Sequence, residues 1–390
     1  MTPMLLKIVP KVALANKEPE PRQRSQRALS LLIDVEIPTK TLHGLNAPRR
    51  LARSLLYNMA EIRKGERTVE LRLPQQVDVL DVTLRDGFQH EEMFVPTESK
   101  LWIANRLMDA GFKRIEVGTF SHVKYVPQFK DILEVLKGLP HRDDVEYTVL
   151  ALNTKACERV AQALDEGVQI DRVLCGQLAT SEAYARKNMN RTHEELFAEA
   201  EKNVKFLHRL GIKKIFANIG TIFGCPIQGE VPIEKAYEFV DRSFDIGFDE
   251  IEHSDPDGIA DPVRVYEYFD HVMTKYPDPA MHSFHVHDIR GMGMAAYYAA
   301  MEAGVRAFDC SMGGIGGQVA NIVDGVPVKG IGAYYFDTKR TGLVETCDFV
   351  TMLNTMGIET GIDEKKCYAV EQMVERILGR SLDSFTASIQ

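Results

Sequence analysis

From residue 77 onward, short apolar and β-branched runs alternate with longer stretches whose apolar residues recur at helical spacing. The first pairs are VDVLDVT with TESKLWIANRLMDAG, and RIEVGTF with VPQFKDILEVLKGL. The alternation continues to HSFHVHD with MGMAAYYAAMEAG, and an eighth run, RAFDCSM, precedes a glycine-rich stretch and the helical pattern TGLVETCDFVTMLNTMG. Eight such units over about 280 residues are typical of a (β/α)8 TIM barrel, an α/β fold, and we predict that fold.

A doubly wound open sheet is the alternative for this alternation. That fold usually carries a glycine-rich phosphate-binding motif after its first strand, and the segment there, LRDGFQHEE, has none. We divide the chain into an N-terminal extension at 1–76, a barrel domain at 77–362 and a C-terminal helical tail at 363–390, with its helix at 363–380. In the extension, NAPRRLARSLLYNMAEIRKGE has helical spacing and predicts an appended helical segment.

The extension is basic, whereas the rest of the chain is acidic. Residues 1–72 contain 14 Lys or Arg and 7 Asp or Glu, a charge of +7, which leaves −16 for the remainder of a total of −9. A basic arm could bind nucleic acid, a membrane surface or a neighbouring subunit. No nucleic-acid motif accompanies it. The chain also contains no run of about 18 apolar residues, so no membrane span is predicted. We therefore expect the arm to pack against the acidic body, within or between subunits.

The cysteines indicate a reducing compartment. They are scattered and include no C-x-x-C pair, which argues against a disulfide framework or a structural zinc site: Cys157, Cys175, Cys225, Cys310, Cys347 and Cys367. The first residues lack the pattern of a secretory signal. We expect a cytoplasmic protein, or one of the mitochondrial matrix if the source is eukaryotic.

Polar residues collect where the predicted strands end, which is where barrel enzymes place their chemistry. His285 and His287 are two apart in HVHD, so their side chains point to the same face of a strand. Asp86 follows the first strand in LRDG. A carboxylate and two imidazoles on one rim suit a divalent cation with open positions for water or substrate. Mg²⁺ or Mn²⁺ is expected, and Zn²⁺ is an alternative.

Several motifs together resemble a known family. DVTLRDGFQHEE, IEVGTF, SEAYARKNMNRTHEE, GCPIQG, HVHD and GGIGG stand in the order and approximate spacing of the DRE-TIM metallolyase superfamily. They are most similar to its 3-hydroxy-3-methylglutaryl-CoA lyase branch. This resemblance implies that Asp86, His285 and His287 are metal ligands and that Arg85 is a catalytic arginine.

The resemblance also implies further site residues. Glu116 and Asp255 would act as catalytic carboxylates that hold Arg85 or transfer protons, although Glu116 could equally be a buried partner for a cation. The substrate-binding positions that the resemblance implies are Gln89, Ser181, Lys187, Asn188 and Gln318. For the group in SEAYARKN, which includes Glu182, a solvated loop helix is the alternative.

The chain departs from the family in one loop. The lyases have a cysteine just after the GGxGG motif as the acid that protonates the departing enolate, and Gln318 stands there. The GN pair that supplies an asparagine ligand is also missing, so Asn321 or water would complete the metal shell. We expect Cys225 to be a packed residue, and we do not expect Cys310, at the end of the eighth strand, to be the acid. The glycines of GGIGG predict a mobile cover over the site or, alternatively, a tight turn.

Three functions are compatible with these features. The favoured one is a carbon–carbon lyase of the oxo-acid-lyase type, acting on a 3-hydroxyacyl-CoA such as hydroxymethylglutaryl-CoA or on a related β-hydroxy acid. The second is a condensing enzyme of the isopropylmalate or citramalate synthase type, which joins an acyl-CoA to a keto acid. The third is a metal-binding relative without turnover. A small-molecule acyl-CoA, hydroxy-acid or keto-acid substrate and a homodimer are expected, without nucleic-acid or membrane partners.

Overall fold

The computed structural model describes residues 72–317 and 341–389, together with the backbone of two short strands at 321–323 and 326–328. The helix predicted within 46–66 and the position of Gln318 lie outside the described residues. None of the helices in the described part of the chain combines the length and the apolar character needed to span a bilayer.

Eight parallel strands close into a barrel in sequence order, as predicted. The strands are β1 Asp78–Asp81, β2 Arg114–Thr119, β3 Glu146–Leu150, β4 Arg172–Ala179, β5 Lys214–Gly220, β6 Glu250–Asp255, β7 His282–Val286 and β8 Ala307–Cys310. Pairing of β1 with β8, from Asp78 with Ala307 to Asp81 with Cys310, closes the ring. The separate hairpin consists of β9 Asn321–Val323 and β10 Val326–Val328, which are antiparallel.

The helices follow the strands as the apolar periodicity predicts. They are α1 Thr97–Ala110, α2 Ile132–Gly138, α3 Thr154–Asp165, α4 Glu182–Met189, α5 His193–Arg209, α6 Ile233–Asp245, α7 Pro262–Lys275, α8 Gly293–Ala303, α9 Thr346–Thr355 and α10 Glu364–Leu378. Helix α10 lies within the predicted C-terminal tail, and it packs against α1.

Most apolar side chains lie in one core between the strands and the surrounding helices. A second, small apolar cluster is formed by Leu150, Leu174 and Phe216 on three neighbouring strands. The buried strand residues also include many charged ones, which is unusual for a barrel interior because a buried charge requires a partner.

One buried ion pair lies near the start of the strands. Arg172 on β4 is fully buried, and its Nη2 donates to Glu250 Oε1 on β6 at 2.9 Å. The same guanidinium lies over the ring of Phe216, 5.0 Å from its centroid. Burial acts to raise the pKa of Glu250, but Arg172 prevails and lowers it to about 2. The ionised pair therefore stabilises the folded state at neutral pH.

Glu250→Gln is expected to lower the free energy of unfolding by about 3 kcal/mol at pH 7, because it leaves the Arg172 charge buried without its main partner. The folded pKa of Glu250 lies below its ordinary value of 4.5, so its contribution is complete above about pH 4.5 and disappears as pH falls towards 2. Urea denaturation of both proteins at several pH values would measure this, and the difference should shrink on acidification.

Glu238→Gln provides the matched control on α6. Glu238 is exposed and pairs with Lys235 at 2.9 Å. Exposed pairs of this kind contribute about 0–1 kcal/mol, so this variant should unfold almost like the parent. Equal losses for the two substitutions would contradict the role assigned to burial.

Candidate metal centre and active site

A wide helical turn places Arg85 and Asp86 at the rim. After β1 the chain forms a single π-helical turn over Thr83–Gly87. The backbone N–H groups of Arg85, Asp86 and Gly87 all point at the carbonyl oxygen of Val82, at 3.1, 2.8 and 3.2 Å. Turns of this kind are rare and often occur at functional sites. Here the turn buries two adjacent charged side chains at the C-terminal end of the barrel.

The two histidines are held so that one nitrogen of each faces the other. His285 lies on β7, and its Nδ1 lies 2.8 Å from Asp309 Oδ2. His287 follows the strand, and its Nδ1 donates to the Thr341 carbonyl at 2.6 Å. A carbonyl only accepts, so Nε2 of neutral His287 bears a lone pair, and an ionised Asp309 imposes the same tautomer on His285. The two Nε2 atoms are 3.1 Å apart.

Asp86 completes a three-residue set around the same point. Its Oδ1 lies 3.9 Å from His287 Nε2, and one ligand atom from each of Asp86, His285 and His287 lies within 4.8 Å of the others. Two facing lone pairs repel unless a cation lies between them. Imidazoles that bind metals usually have their second ring nitrogen hydrogen-bonded to a carboxylate or a carbonyl, and both Nδ1 atoms here lie against such a group. The donor set therefore fits a divalent ion.

The charge states also suit a metal site. Burial lowers the pKa of both histidines, which keeps them neutral as ligands must be. Burial acts to raise the pKa of Asp86, but the charge of Arg85 prevails and lowers it overall. The site thus presents two neutral imidazoles and one carboxylate.

The glycine-rich loop packs directly on Asp86. Gly317 N donates to Asp86 Oδ1 at 3.1 Å, and Gln89 Nε2 bridges Asp86 Oδ2 at 2.9 Å and the Gly317 carbonyl at 2.8 Å. Gly316 has φ +136°, and a Cβ added there would lie 2.6 Å from Asp86 Oδ1. Only glycine fits so close to the carboxylate, so the GGIGG segment is required in contact with the site. Gln89, predicted to bind substrate, is placed here as a support for Asp86.

Arg85 lies between two carboxylates. Its guanidinium donates through Nε to Glu116 and through Nη1 to Asp86, and the three side chains are buried. Burial acts to lower the pKa of Arg85, but Glu116, Asp86 and Glu252 raise it overall, so the group is always charged. Burial raises the pKa of Glu116 despite Arg85. Both alternatives for Glu116 stay open, since it is a buried partner of a cation and also adjoins the site.

Two further carboxylates under the site were not predicted. Asp309 on β8 supports His285, and Glu252 on β6 accepts from the Asn218 side chain. One ligand atom each of Glu252, Asp309 and His285 also lies within 4.8 Å of the others. Burial raises the pKa of Asp309 to about 7 and that of Glu252 to about 8. A charged residue inside a buried strand, as in EIEHSD, is the signal that could have revealed Glu252.

Asp255 lies beside the histidines but binds its own turn. Its carboxylate accepts from Ala260 N at 2.8 Å and from Asp257 N at 3.3 Å, and its carbonyl accepts from His287 N at 3.1 Å. Burial raises the pKa of this carboxyl. Its position shapes the loop that carries His287, while its catalytic role stays a prediction.

The segment after β4 forms a helix on the surface. Ser181 is buried and caps α4 by accepting from Tyr184 N at 3.2 Å, and it donates to Gln228 Oε1 at 3.0 Å. Lys187 and Asn188 are exposed on α4, and Glu182 pairs with Arg186 of the same helix. The structure thus brings Ser181 into the rim, and the substrate-binding roles of this group stay predictions, as does that of Gln318.

Two cysteines near the site are buried, and Cys225 is a packed residue, as expected. Cys225 is buried in a tight turn, where its Sγ accepts from Ile227 N at 3.3 Å and from Gln228 N at 3.4 Å. Cys310 is fully buried at the end of β8, and burial raises its thiol pKa well above the ordinary value.

The chain re-enters the described region beside the histidines. The carbonyl of Thr341 accepts from His287, and Leu343 forms an isolated antiparallel bridge with the same residue. Thr341 Oγ1 also donates to the Gly316 carbonyl at 2.8 Å. Sequence analysis missed Thr341, because a contact through its backbone carbonyl leaves no mark on residue type.

A (β/α)8 barrel with a carboxylate and two imidazoles at the C-terminal rim is the architecture of a metal-dependent barrel lyase. The chain belongs to the HMGL-like family, whose model matches residues 76–374, and it is a carbon–carbon lyase. A hydroxymethylglutaryl-CoA lyase of Bacillus subtilis is 29% identical over 80% of this chain and 96% of the relative. The (R)-citramalyl-CoA lyase of Chloroflexus aurantiacus is 30% identical over 79% and 93%.

A solved structure supports the same assignment. An HMG-CoA lyase from Acinetobacter baumannii, in complex with coenzyme A and 3-methylmalate, superimposes with a TM-score of 0.70. It is 29% identical, and the match covers 83% of this chain and 96% of that one.

Proposed function

We propose that the protein is a divalent-metal-dependent lyase that cleaves a carbon–carbon bond of a 3-hydroxyacyl-CoA, either hydroxymethylglutaryl-CoA or a close relative such as citramalyl-CoA. The observation that carries the proposal is the pair of Nε2 atoms 3.1 Å apart, with Asp86 beside them and Arg85 next to Asp86. The names of the similar proteins favour an acyl-CoA substrate.

The reaction begins with transfer of the substrate's 3-hydroxyl proton to a carboxylate of the site, for which Asp255 and Glu116 are the candidates. The adjacent carbon–carbon bond then breaks to leave a carbonyl product and an enolate, and protonation of the enolate carbon completes the reaction. A divalent ion held by Asp86, His285 and His287 would lower the pKa of that hydroxyl. Arg85, permanently charged and fixed by Glu116, would stabilise the oxygen on which enolate charge develops. Gln89 would keep Asp86 oriented, because its amide holds both the carboxylate and the glycine loop.

The closing proton transfer needs an acid other than cysteine. Gln318 stands at the position of the family's cysteine, and a carboxamide does not donate protons at useful rates. Cys310 and Cys225 are buried in packing roles. We propose that solvent or a carboxyl group of the site delivers this proton, with Glu116 as the first candidate because burial raises its pKa.

Incubation with Mg²⁺ or Mn²⁺ is expected to convert hydroxymethylglutaryl-CoA into acetyl-CoA and acetoacetate, or citramalyl-CoA into acetyl-CoA and pyruvate. Chromatography of the CoA products and an enzymatic assay of the keto acid would identify the preferred substrate. Activity should disappear after chelation and return when metal is added.

The condensing alternative gives a different result in the same assay. If free CoA appears from acetyl-CoA only when a keto acid is added, the chain is a synthase. If metal binds and neither assay shows turnover, the lyase proposal is wrong. A homodimer and a cytoplasmic location stay predictions, to be measured by ultracentrifugation and by cell fractionation.

A further inference from the structure

Four side chains with metal-binding atoms are buried together where α9 meets α10. Glu345 precedes α9 and Cys347 is in its first turn, while Cys367 and Glu371 are four apart on one face of α10. The exposed fractions are 8% for Glu345, 0% for both cysteines and 2% for Glu371. We call this group the α9–α10 cluster. It shares no residue with the site formed by Asp86 and the histidines.

Three of the four groups are in mutual contact. One ligand atom from each of Glu345, Cys347 and Glu371 lies within 4.8 Å of the other two. Cys367 adjoins Cys347, and Glu371 interacts with both Glu345 and Cys347. One sulfur and two carboxylate ligands can thus reach a single point.

The α9–α10 cluster has no basic partner among the described residues. The neighbours that act on Glu345 and Glu371 through charge are other carboxylates, such as Asp348. Glu371 Oε2 is buried and has no hydrogen-bond partner. Burying a carboxylate oxygen without a partner costs free energy unless a proton or a cation compensates for it. The unpartnered Oε2 atom of Glu371 therefore supports a bound cation at this site.

We propose that the α9–α10 cluster binds a second divalent ion of the zinc type, with Glu345, Cys347 and Glu371 as its protein ligands. A thiolate favours zinc over magnesium, and water would complete a tetrahedral shell around three protein ligands. The ion takes the place of two protons, one from the Cys347 thiol and the one that the two carboxyl groups share.

Backbone groups offset the negative charge that the ligands bring. Glu345 Oε1 accepts from Cys347 N at 3.0 Å and from Gly313 N at 3.1 Å, and Oε2 accepts from Asp348 N at 2.6 Å. Two of these donors belong to the first turn of α9, whose dipole also favours an anion. The contact with Gly313 connects the proposed ion to the loop whose other end, Gly317, holds Asp86. The ion would therefore stabilise the loop beside the reaction site.

Cobalt substitution tests this proposal independently of the lyase activity. The full chain, freed of metal by chelation under reducing conditions, is titrated with Co²⁺. Thiolate ligation gives an intense charge-transfer band in the near ultraviolet, which a site of imidazoles and carboxylates does not give. We expect one equivalent of Co²⁺ to produce this band, and Zn²⁺ to remove it by displacement.

Variants assign the band to its ligands. Cys347→Ser should abolish or strongly reduce it, and Glu371→Gln should weaken Co²⁺ binding at the thiolate site by roughly 100-fold. The amide that Glu371→Gln introduces keeps the shape of the side chain and can hydrogen-bond to Glu345, so this variant is expected to fold. Cys157→Ser on α3 is the matched control, because it removes a buried thiol elsewhere and should leave the band unchanged.

Three outcomes would overturn the proposal. The first is the absence of a thiolate band although Co²⁺ binds to the chain. The second is a thiolate band that persists in Cys347→Ser. The third is a Glu371→Gln variant that binds Co²⁺ at the thiolate site with the affinity of the parent protein. If the parent protein shows the thiolate band but no lyase activity, only the proposed function is rejected. The two proposals can therefore fail separately.

Discussion

Replacing His285 with alanine is expected to abolish tight binding of Mg²⁺ or Mn²⁺ at the rim and to lower kcat by about 10³-fold or more. The substitution removes one of the two facing Nε2 atoms and leaves only Asp86 and His287. A catalytic ion contributes several kcal/mol to transition-state stabilisation. A loss of about 4 kcal/mol corresponds to roughly 10³ in rate. Metal affinity by calorimetry and kcat under saturating substrate would measure both effects.

His282→Ala is the matched control on the same strand. His282 is equally buried, but its ring contacts His253 at 3.0 Å and the Tyr276 carbonyl at 2.9 Å, outside the metal set. This variant should lose stability and keep metal binding. If His285→Ala keeps stoichiometric metal, or if both variants lose metal to the same extent, the assignment of His285 as a ligand is wrong.

Local patterns of the sequence were sufficient to predict the barrel and the convergence of Asp86, His285 and His287, while their binding of a metal stays a prediction. Periods of two and 3.6 residues follow directly from strand and helix geometry, so eight alternations define the order of the elements. His285 and His287 could be predicted because their spacing is meaningful within one strand. Asp86 could be added because parallel strands of a barrel bring their C-terminal ends to one rim.

The supporting residues could not be predicted in the same way. Asp309 supports His285 from the next strand, and the Thr341 carbonyl supports His287 from 54 residues away along the chain. No period relates such positions, because their contact depends on how the whole barrel closes. Glu252 was not predicted as a site residue, because a carboxylate in a strand is normally on the solvent face. The charged interior is thus a property of the closed ring rather than of any one segment.

Several residues that the family resemblance implied as site residues contact their own loops or lie on the surface. Ser181 and Asp255 lie at strand ends, and both satisfy backbone N–H groups of their own loops. Lys187 and Asn188 are exposed on α4. A motif therefore predicts the position of a residue in the fold, but not its role. Mutagenesis has to decide these roles.

Arg85→Lys is expected to lower kcat by about 10²–10³-fold while metal affinity changes little. Lysine keeps the positive charge between Glu116 and Asp86, so neither carboxylate is left without a cation. It cannot reproduce the planar guanidinium, which donates through Nε to Glu116 and through Nη1 to Asp86. Removing one well-placed donor to a developing oxyanion costs about 10²–10³ in kcat.

The separation of kcat from metal affinity distinguishes a catalytic arginine from a supporting one. If Arg85 acts only by holding Asp86 in place, Arg85→Lys should weaken Mn²⁺ binding as much as Gln89→Ala, which removes the amide that holds the same carboxylate. If Arg85 stabilises the enolate oxygen, Mn²⁺ binds Arg85→Lys with nearly parental affinity and the loss appears in kcat.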